Sequence, residues 1–261
     1  MFSQVEPWHF CIAIGVCAIF AGFLEALFPA RAQGAQQFTR IYINLTLTVI
    51  SALMQLALVA FVPMLKEAML PASFGFFQYW NSPPWLEFIT VLLAATLLLY
   101  FIHRAMHCWP ALWRFHCVHH CDHELDVSTG FRHHPVEVLV AMVALMPLYL
   151  LAGAQTAVLI AVQTTLIIGE IFTHGNIKVR NAFASPIAWL FVTPHLHSLH
   201  HSSIRRETDS NFGQVFSFWD RLFGTFVSKP ASENGQITIG LDGIDAANAQ
   251  NLVQQLLPKA Q

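Results

Sequence analysis

WLEFITVLLAATLLLYFIHRAMH, residues 85–107, carries an apolar run directly into paired histidines. Between residues 85 and 102 the only charged side chain is Glu87. At about 1.5 Å of rise per residue, a helix of that length crosses most of a hydrocarbon core about 30 Å thick. The stretch therefore predicts a membrane-spanning helix. His103 and His107 follow without a break, four residues apart, and a helix stacks such a pair on one face.

The same apolar character extends along the chain. Of 261 residues, 55% are hydrophobic and 11% charged. Soluble domains carry about 25% charged residues, so a water-facing surface would be poorly covered here. Further apolar runs occupy residues 8–28, 41–65, 136–153 and 156–172. Only Ala154 and Gln155 separate the last two, which predicts a helical hairpin. Ala30-Arg31-Ala32 resembles a leader cleavage site. No positive region precedes the first run, and the run is long for a leader, so it is expected to remain as a span. Ser185-Pro186 and Thr193-Pro194 each predict a helix start, with a hydroxyl cap before proline. Residues 245–257 predict one amphipathic helix capped by Asp245. The expected fold is all-α: a polytopic membrane helical bundle of four to five apolar segments, in one domain over residues 1–261.

Charge sets an expected orientation. Arg31 and Arg40 lie between the first two runs, and Lys66 stands alone before the third. Arg104, Arg114, Arg132, Lys178, Arg180, Arg205 and Arg206 flank the histidines. The positive-inside rule then puts the histidine-rich cap and the C-terminus in the cytoplasm, with the N-terminus opposite. Net charge is −2, and Arg205-Arg206 is the only basic cluster, so no nucleic-acid footprint is present. Five cysteines form no CxxC pair and read as reduced thiols.

Thirteen of the 14 histidines lie between His103 and His201. His116, His119 and His120 fall at i, i+3 and i+4, and His197, His200 and His201 repeat that spacing. With His103 and His107 they place eight imidazoles on short helical faces. One ion cannot coordinate eight, so two metals are implied. Imidazole suits iron, zinc, copper and nickel alike. A single HxxxH arises readily by chance. Two HxxHH clusters with an HxxxH do not, and burying so many unpartnered rings is costly. His134, before Pro135, and His174, beside Asn176, fall at the same mouth and extend the set. His9, His123, His133 and His195 read as bystanders. Glu137, Glu170, Asn176 and Asp220 are candidates to orient the rings through their second nitrogens. Asp122, Asp126 and Asp209 read equally as caps, surface pairs or ring partners. Cys108, Cys117 and Cys121 read as small buried thiols rather than ligands.

Six segments carry a resemblance: HRAMH from His103, LWRFHCVHH ending at His120 and DVSTGFRHHPVE ending at Glu137, then HGN from His174, TPHLHSLHH ending at His201 and DSNFGQVFSFWDRLFGTF ending at Phe226. In this order and spacing, over about residues 85–245, the chain resembles the fatty acid hydroxylase and sterol desaturase superfamily of membrane di-iron enzymes. The resemblance implies a helical stem under a cytoplasmic cap. It implies two irons held by His103, His107, His116, His119, His120, His134, His174, His197, His200 and His201. Dioxygen as co-substrate, a separate reductase or small electron carrier, and a lipid substrate to be hydroxylated or desaturated are implied as well. Cys121 stands where serine is commoner, His133 where an aromatic is commoner, and Phe212 where tyrosine is usual. None of these departures removes a ligand. The competing reading is a membrane metal-binding or metal-transport protein without oxygenase activity. That reading places ligands along a path through the bilayer rather than at one side.

Overall fold

The computed structural model describes residues 7–71, 73–178, 181–230 and 236–258, with the backbone alone at 7, 55–69, 181–185 and 246. Two long helices, α1 (Pro7–Leu27) and α2 (Gln37–Met69), precede a single turn, α3 (Phe76–Tyr79). Next, α4 (Pro84–Cys108) bends at Trp109 into α5 (Pro110–His120). A 3-10 turn at Val127–Phe131 leads to the hairpin of α6 (Pro135–Ala152) and α7 (Thr156–His174). Shorter helices complete the cap: α8 (Asn181–Leu190), α9 (Pro194–His200), α10 (Arg205–Thr208), α11 (Phe218–Leu222), α12 (Ala246–Ala249) and α13 (Leu252–Leu256). Proline opens α4, α5, α6 and α9 in the first turn, where its missing N–H has no intrahelical partner to lose.

Among the described residues, four helices, α1, α4, α6 and α7, are long and apolar enough to cross a membrane. The chain is a multi-pass, membrane-type helical bundle. Val91, Leu92 and Ala95 of α4 pack with Leu145 of α6 and with Val162 and Leu166 of α7. Their outward faces leave Val16, Ile19, Phe23, Ile89, Leu93 and Val143 exposed, as a lipid-facing surface requires. The second apolar run falls within α2, but the side chains of residues 55–69, including Lys66, lie outside the described residues, as does Arg180.

Helix direction alternates so that one end of the bundle becomes the cap. Glu25, near the end of α1, accepts hydrogen bonds from Val127 N at 2.8 Å and Asn176 N at 2.6 Å. Arg40, at the start of α2, meets Asp122 at 2.7 Å, Asp126 at 3.0 Å and Glu124 at 3.1 Å. At the opposite end, Gln155 N donates to Glu87 Oε2 at 3.0 Å where α7 begins. The hairpin thus runs the length of the bundle and returns to the cap.

The reading of residues 85–107 holds, since α4 runs on through Cys108 and carries His103 and His107 itself. Several other sequence expectations change. Ser185-Pro186 does not start a helix, because α8 begins at Asn181 and contains Pro186. Proline's fixed φ is helical, so the ring alone marks no boundary. The tail forms two helices rather than one. Asp245 caps the first as expected, accepting from Asn248 N at 2.7 Å. Asn251 then ends that helix and caps the next, accepting from Gln254 N at 3.2 Å. Thr193 caps α9 as expected, accepting from Leu196 N. Arg40 and Arg132, counted among the charges that set orientation, are buried inside the cap. Burial opposes the charge on Arg40, yet the Asp122, Asp126 and Glu124 carboxylates together outweigh it and raise the guanidinium pKa.

Candidate metal centre

Four helices deliver nine imidazoles to the junction of bundle and cap. His103 and His107 come from the last turns of α4, and His116, His119 and His120 from α5. His174 ends α7, while His197, His200 and His201 come from α9 and its end. They divide into two groups. The first is His103, His107, His116, His120 and His200; the second is His119, His174, His197 and His201. Within each, the available ligand atoms lie within 4.8 Å of one another. The groups abut, since His120 of the first stacks on His201 of the second at 4.4 Å between centroids.

The outer nitrogens fix the tautomers. His103 Nδ1 faces Phe212 O at 2.9 Å, and His116 Nδ1 faces Glu137 Oε1 at 2.8 Å. In the second group His119 Nδ1 faces Arg132 O at 3.1 Å, and His174 Nδ1 faces Glu170 O at 2.8 Å. His200 Nδ1 faces Ser210 O at 2.7 Å, and His107 Nδ1 faces Asp209 Oδ1 at 3.2 Å. These oxygens only accept, so each Nδ1 carries the proton and each Nε2 of a neutral ring is left as a bare lone pair. Yet His103 Nε2 stands 3.0 Å from His116 Nε2, and His119 Nε2 stands 3.1 Å from His174 Nε2. Two facing lone pairs repel unless a cation lies between them. The buried Nε2 atoms of His107 and His200 have no hydrogen-bond partner among the described residues. The donor set therefore fits a metal ion in each group.

Burial, and after it the neighbouring imidazoles, holds His119, His120, His197, His200 and His201 well below the usual imidazole range. These rings are neutral at neutral pH, which is the state that coordinates. Burial pushes the Cys117 thiol up to about 12. It stays protonated, and neither it nor Cys121 belongs to either group.

A single loop positions two of the rings. Asn211 takes φ +52°, a left-handed conformation that asparagine tolerates well. The turn aims Ser210 O at His200 and Phe212 O at His103. Asp220 holds the turn, accepting from Phe212 N at 2.7 Å and Gly213 N at 2.9 Å. Burial pushes its carboxyl up to about 6. This gives the DSNFG…WD segment a physical role.

The structure brings nine of the ten expected histidines together and sets His134 apart. Its Nδ1 caps α6 by accepting from Val136 N at 3.0 Å, and its Nε2 donates to Leu256 O at 3.2 Å. A residue before proline sits outside the helix it precedes, which suits a cap. His133, expected to be a bystander, stacks on His119 at 4.6 Å and 13°. Its Nδ1 donates to Glu137 Oε1 at 2.9 Å and its Nε2 to Gly130 O at 3.1 Å. Burial opposes charge there, but Glu137, with Glu170 and the Gly130 carbonyl, outweighs it and pushes the ring up to about 9. Its i, i+4 spacing to Glu137 was the available sequence signal.

Of the other expected ring partners, Glu170 reaches His174 Nδ1 through Oε2 at 3.3 Å and pairs with Gln214. Asn176 does not touch a ring; it joins the α7 end to Arg31, its Nδ2 donating to Arg31 O at 2.8 Å. Asp122 and Asp126 serve Arg40, while Asp209 serves His107. His123 and His195 bond Ile244 O and Lys229 O, away from both groups. The imidazoles gather at one end of the bundle rather than along a path through it, unlike a transport route.

Comparison with known proteins agrees with this geometry. Ornithine lipid hydroxylase OlsE of Rhizobium tropici is 32% identical over 69% of this chain and 52% of its own length. Human alkylglycerol monooxygenase is 26% identical over 62% of this chain and 34% of its own length. Fatty acid hydroxylase vlmA of Lecanicillium is 28% identical over 78% of this chain and 58% of its own length. The chain thus spans between a third and three fifths of these relatives' lengths. No solved structure matches it. The sequence profile of the fatty acid hydroxylase family matches residues 88–225, more than half of the chain. Those residues contain both HxxHH clusters, the HxxxH pair and the loop that orients them, and the chain belongs to the fatty acid hydroxylase family.

Proposed function

We propose that this chain is a membrane di-iron oxygenase that uses dioxygen and two electrons from a separate donor to hydroxylate a C–H bond of a lipid. The observation that carries this reading is the pair of abutting imidazole groups whose lone pairs face one another at the end of membrane-length helices. His103, His107, His116, His120 and His200 would hold one iron, and His119, His174, His197 and His201 the other. Two irons, when bound, supply the oxidising chemistry that an unactivated C–H bond demands.

The chain's own residues hold and aim these rings. Glu137, Asp209 and four backbone carbonyls fix ring tautomer and direction, as outer partners of metal ligands do. Asp220 holds the Asn211 loop in place. Close packing of α4, α6 and α7 beneath the site excludes water from that side. Relatives named for acting on ornithine lipids, alkylglycerols and fatty acids support a lipid substrate. The balance is RH + O2 + 2 e− + 2 H+ to ROH + H2O. Desaturation would instead remove two hydrogens, and product mass separates the two outcomes. The cap and C-terminus face the cytoplasm in this reading, and residues 1–261 act as one domain.

Metal analysis of anaerobically purified protein, paired with lipid profiling of cells with and without it, tests the proposal. Two irons per chain and an oxygenated lipid are expected. His119→Ala and His200→Ala each lower bound iron and abolish turnover. Full activity in either variant contradicts the proposal.

A further inference from the structure

We propose that the exposed face over Trp113, bordered by Ile204, Arg205 and Arg206, is the docking site of an acidic one-electron carrier protein, with Trp113 as its contact to the first imidazole group. This rests on the oxygenase reading, because only a reaction that consumes electrons needs such a carrier.

Trp113 lies between the surface and three candidate ligands. Its ring centroid is 5.0 Å from that of His107, 5.5 Å from His120 and 6.2 Å from His116. The Arg205 guanidinium lies over the same ring, 5.7 Å from its centroid, and the Arg205 side chain is 70% exposed. A second short route runs beside it. Arg205 Nε donates to Asp209 Oδ2 at 2.6 Å, and Asp209 Oδ1 accepts from His107 Nδ1 at 3.2 Å. By either route one side chain separates the exposed Arg205 from an imidazole of the first group. Electronic coupling falls steeply with distance, so this is a favourable place for an electron to enter.

The face has the chemistry of a docking surface. Trp109, exposed and one turn before Trp113, and Ile204 supply apolar area. Arg114, Arg205 and Arg206 are exposed, and Asp209, paired with Arg205, is half-exposed. The nearby Glu207 is paired with Lys229. Arg114 Nε donates to Pro258 O, and among the described residues no carboxylate pairs with it. Tryptophan and arginine are the residues enriched at protein interfaces. A net positive field over them selects an acidic partner and speeds its encounter. Each encounter oxidises one reduced carrier by one electron. Two encounters, with two protons, complete the balance given above.

The test uses full-length protein in nanodiscs and a plant-type [2Fe–2S] ferredoxin, an acidic carrier, with its NADPH-dependent reductase. Ferredoxin binding is measured on metal-free protein by interferometry, at low and high salt. Wild type is expected to bind at low salt and to weaken as salt screens the attraction. Arg206→Glu should lower the low-salt affinity about tenfold, and Ile204→Asp should lower it too. Neither side chain touches an imidazole, so turnover driven by dithionite stays at the wild-type level while ferredoxin-driven turnover falls. Trp113→Leu should keep binding but slow ferredoxin-driven reduction. Binding that ignores salt or Arg206→Glu overturns the docking face. So does a variant that loses binding to anionic vesicles but not to ferredoxin, which would assign the face to lipid. Unslowed reduction in Trp113→Leu overturns the role of that ring. If dithionite drives no turnover in metal-loaded wild type, the oxygenase reading fails instead, and the binding measurement still decides the docking face.

Discussion

His134 has both ring nitrogens on the backbone, Nδ1 accepting from Val136 N and Nε2 donating to Leu256 O. His134→Ala should therefore cost about 1 kcal/mol of stability, as loss of a helix cap does, and leave metal content unchanged. A thermal melt and metal analysis of the same preparation check this; a lost metal equivalent would return His134 to the ligand set. Glu137 is the opposite case, a carboxylate whose Oε1 serves His116 and His133 together. Glu137→Gln removes the charge that both rings face. Metal affinity should fall about 10- to 100-fold, the usual effect of losing a partner behind a ligand, as read by competition with a chelator. Unchanged affinity would show that the carboxylate does not orient His116. The eight histidines in HxxxH and HxxHH were legible in the sequence because helical spacing puts them on shared faces. The carbonyls of Arg132, Glu170, Ser210 and Phe212 were not, since any residue type presents the same carbonyl. His133 and His134 are neighbours, and their roles depend on where α6 begins, which spacing alone does not fix.

Among the helices, the apolar runs gave α1, α6 and α7 to within two residues at each end and α4 up to the histidines that extend it, because a lipid-facing helix must be apolar around most of its circumference. The capping positions were harder. Thr193-Pro194 and Ser185-Pro186 look alike locally, yet only the first starts a helix. The tail broke where Asn251 offered a second cap within a pattern that reads as continuous. One tight contact decides how the far end of the bundle closes. Gly75, at φ +123°, packs its backbone on Gly153, which ends α6 at φ +60°. A Cβ at Gly75 would stand 2.4 Å from Gly153 Cα, and backbone cannot swing away as a side-chain tip would. Gly75→Ala is thus strained both in φ and in space, and should destabilise the protein by about 2 kcal/mol. Lowered melting temperature in detergent is the expected result, with metal content per folded protein unchanged because the site lies at the other end. An unchanged melting temperature would mean that α3 is not seated on the hairpin turn.

At the scale of the whole molecule, the sequence announced a metal-bearing cap on an apolar stem but not what holds the cap closed without metal. Two buried arginines do part of this, Arg40 facing three carboxylates and Arg132 bonded to Val118 O, Asn44 and Ala249 O. The imidazoles themselves work against it when protons are abundant. In the unfolded chain histidine titrates near 6.5, whereas His119, His120, His197, His200 and His201 are held well below that in the folded protein. Between those values the unfolded state binds more protons, so stability falls as pH drops below about 6.5, by up to about 1.4 kcal/mol per pH unit for each ring. His133 has the opposite sign. Its folded pKa is raised to about 9, so its contribution is full below about 6.5 and is lost as pH rises through about 9. Metal-free protein should accordingly melt highest near neutral pH, with the steeper loss on the acid side, where five rings act together. Bound metal needs the same neutral rings, so loading should raise the melting temperature at pH 7 far more than at about pH 5. Melting curves of chelator-treated and metal-loaded protein across that range check both slopes. A metal-free profile that is flat between about pH 5 and 7 would mean that the rings are solvated and separate, and the two groups would not exist as a pair of sites.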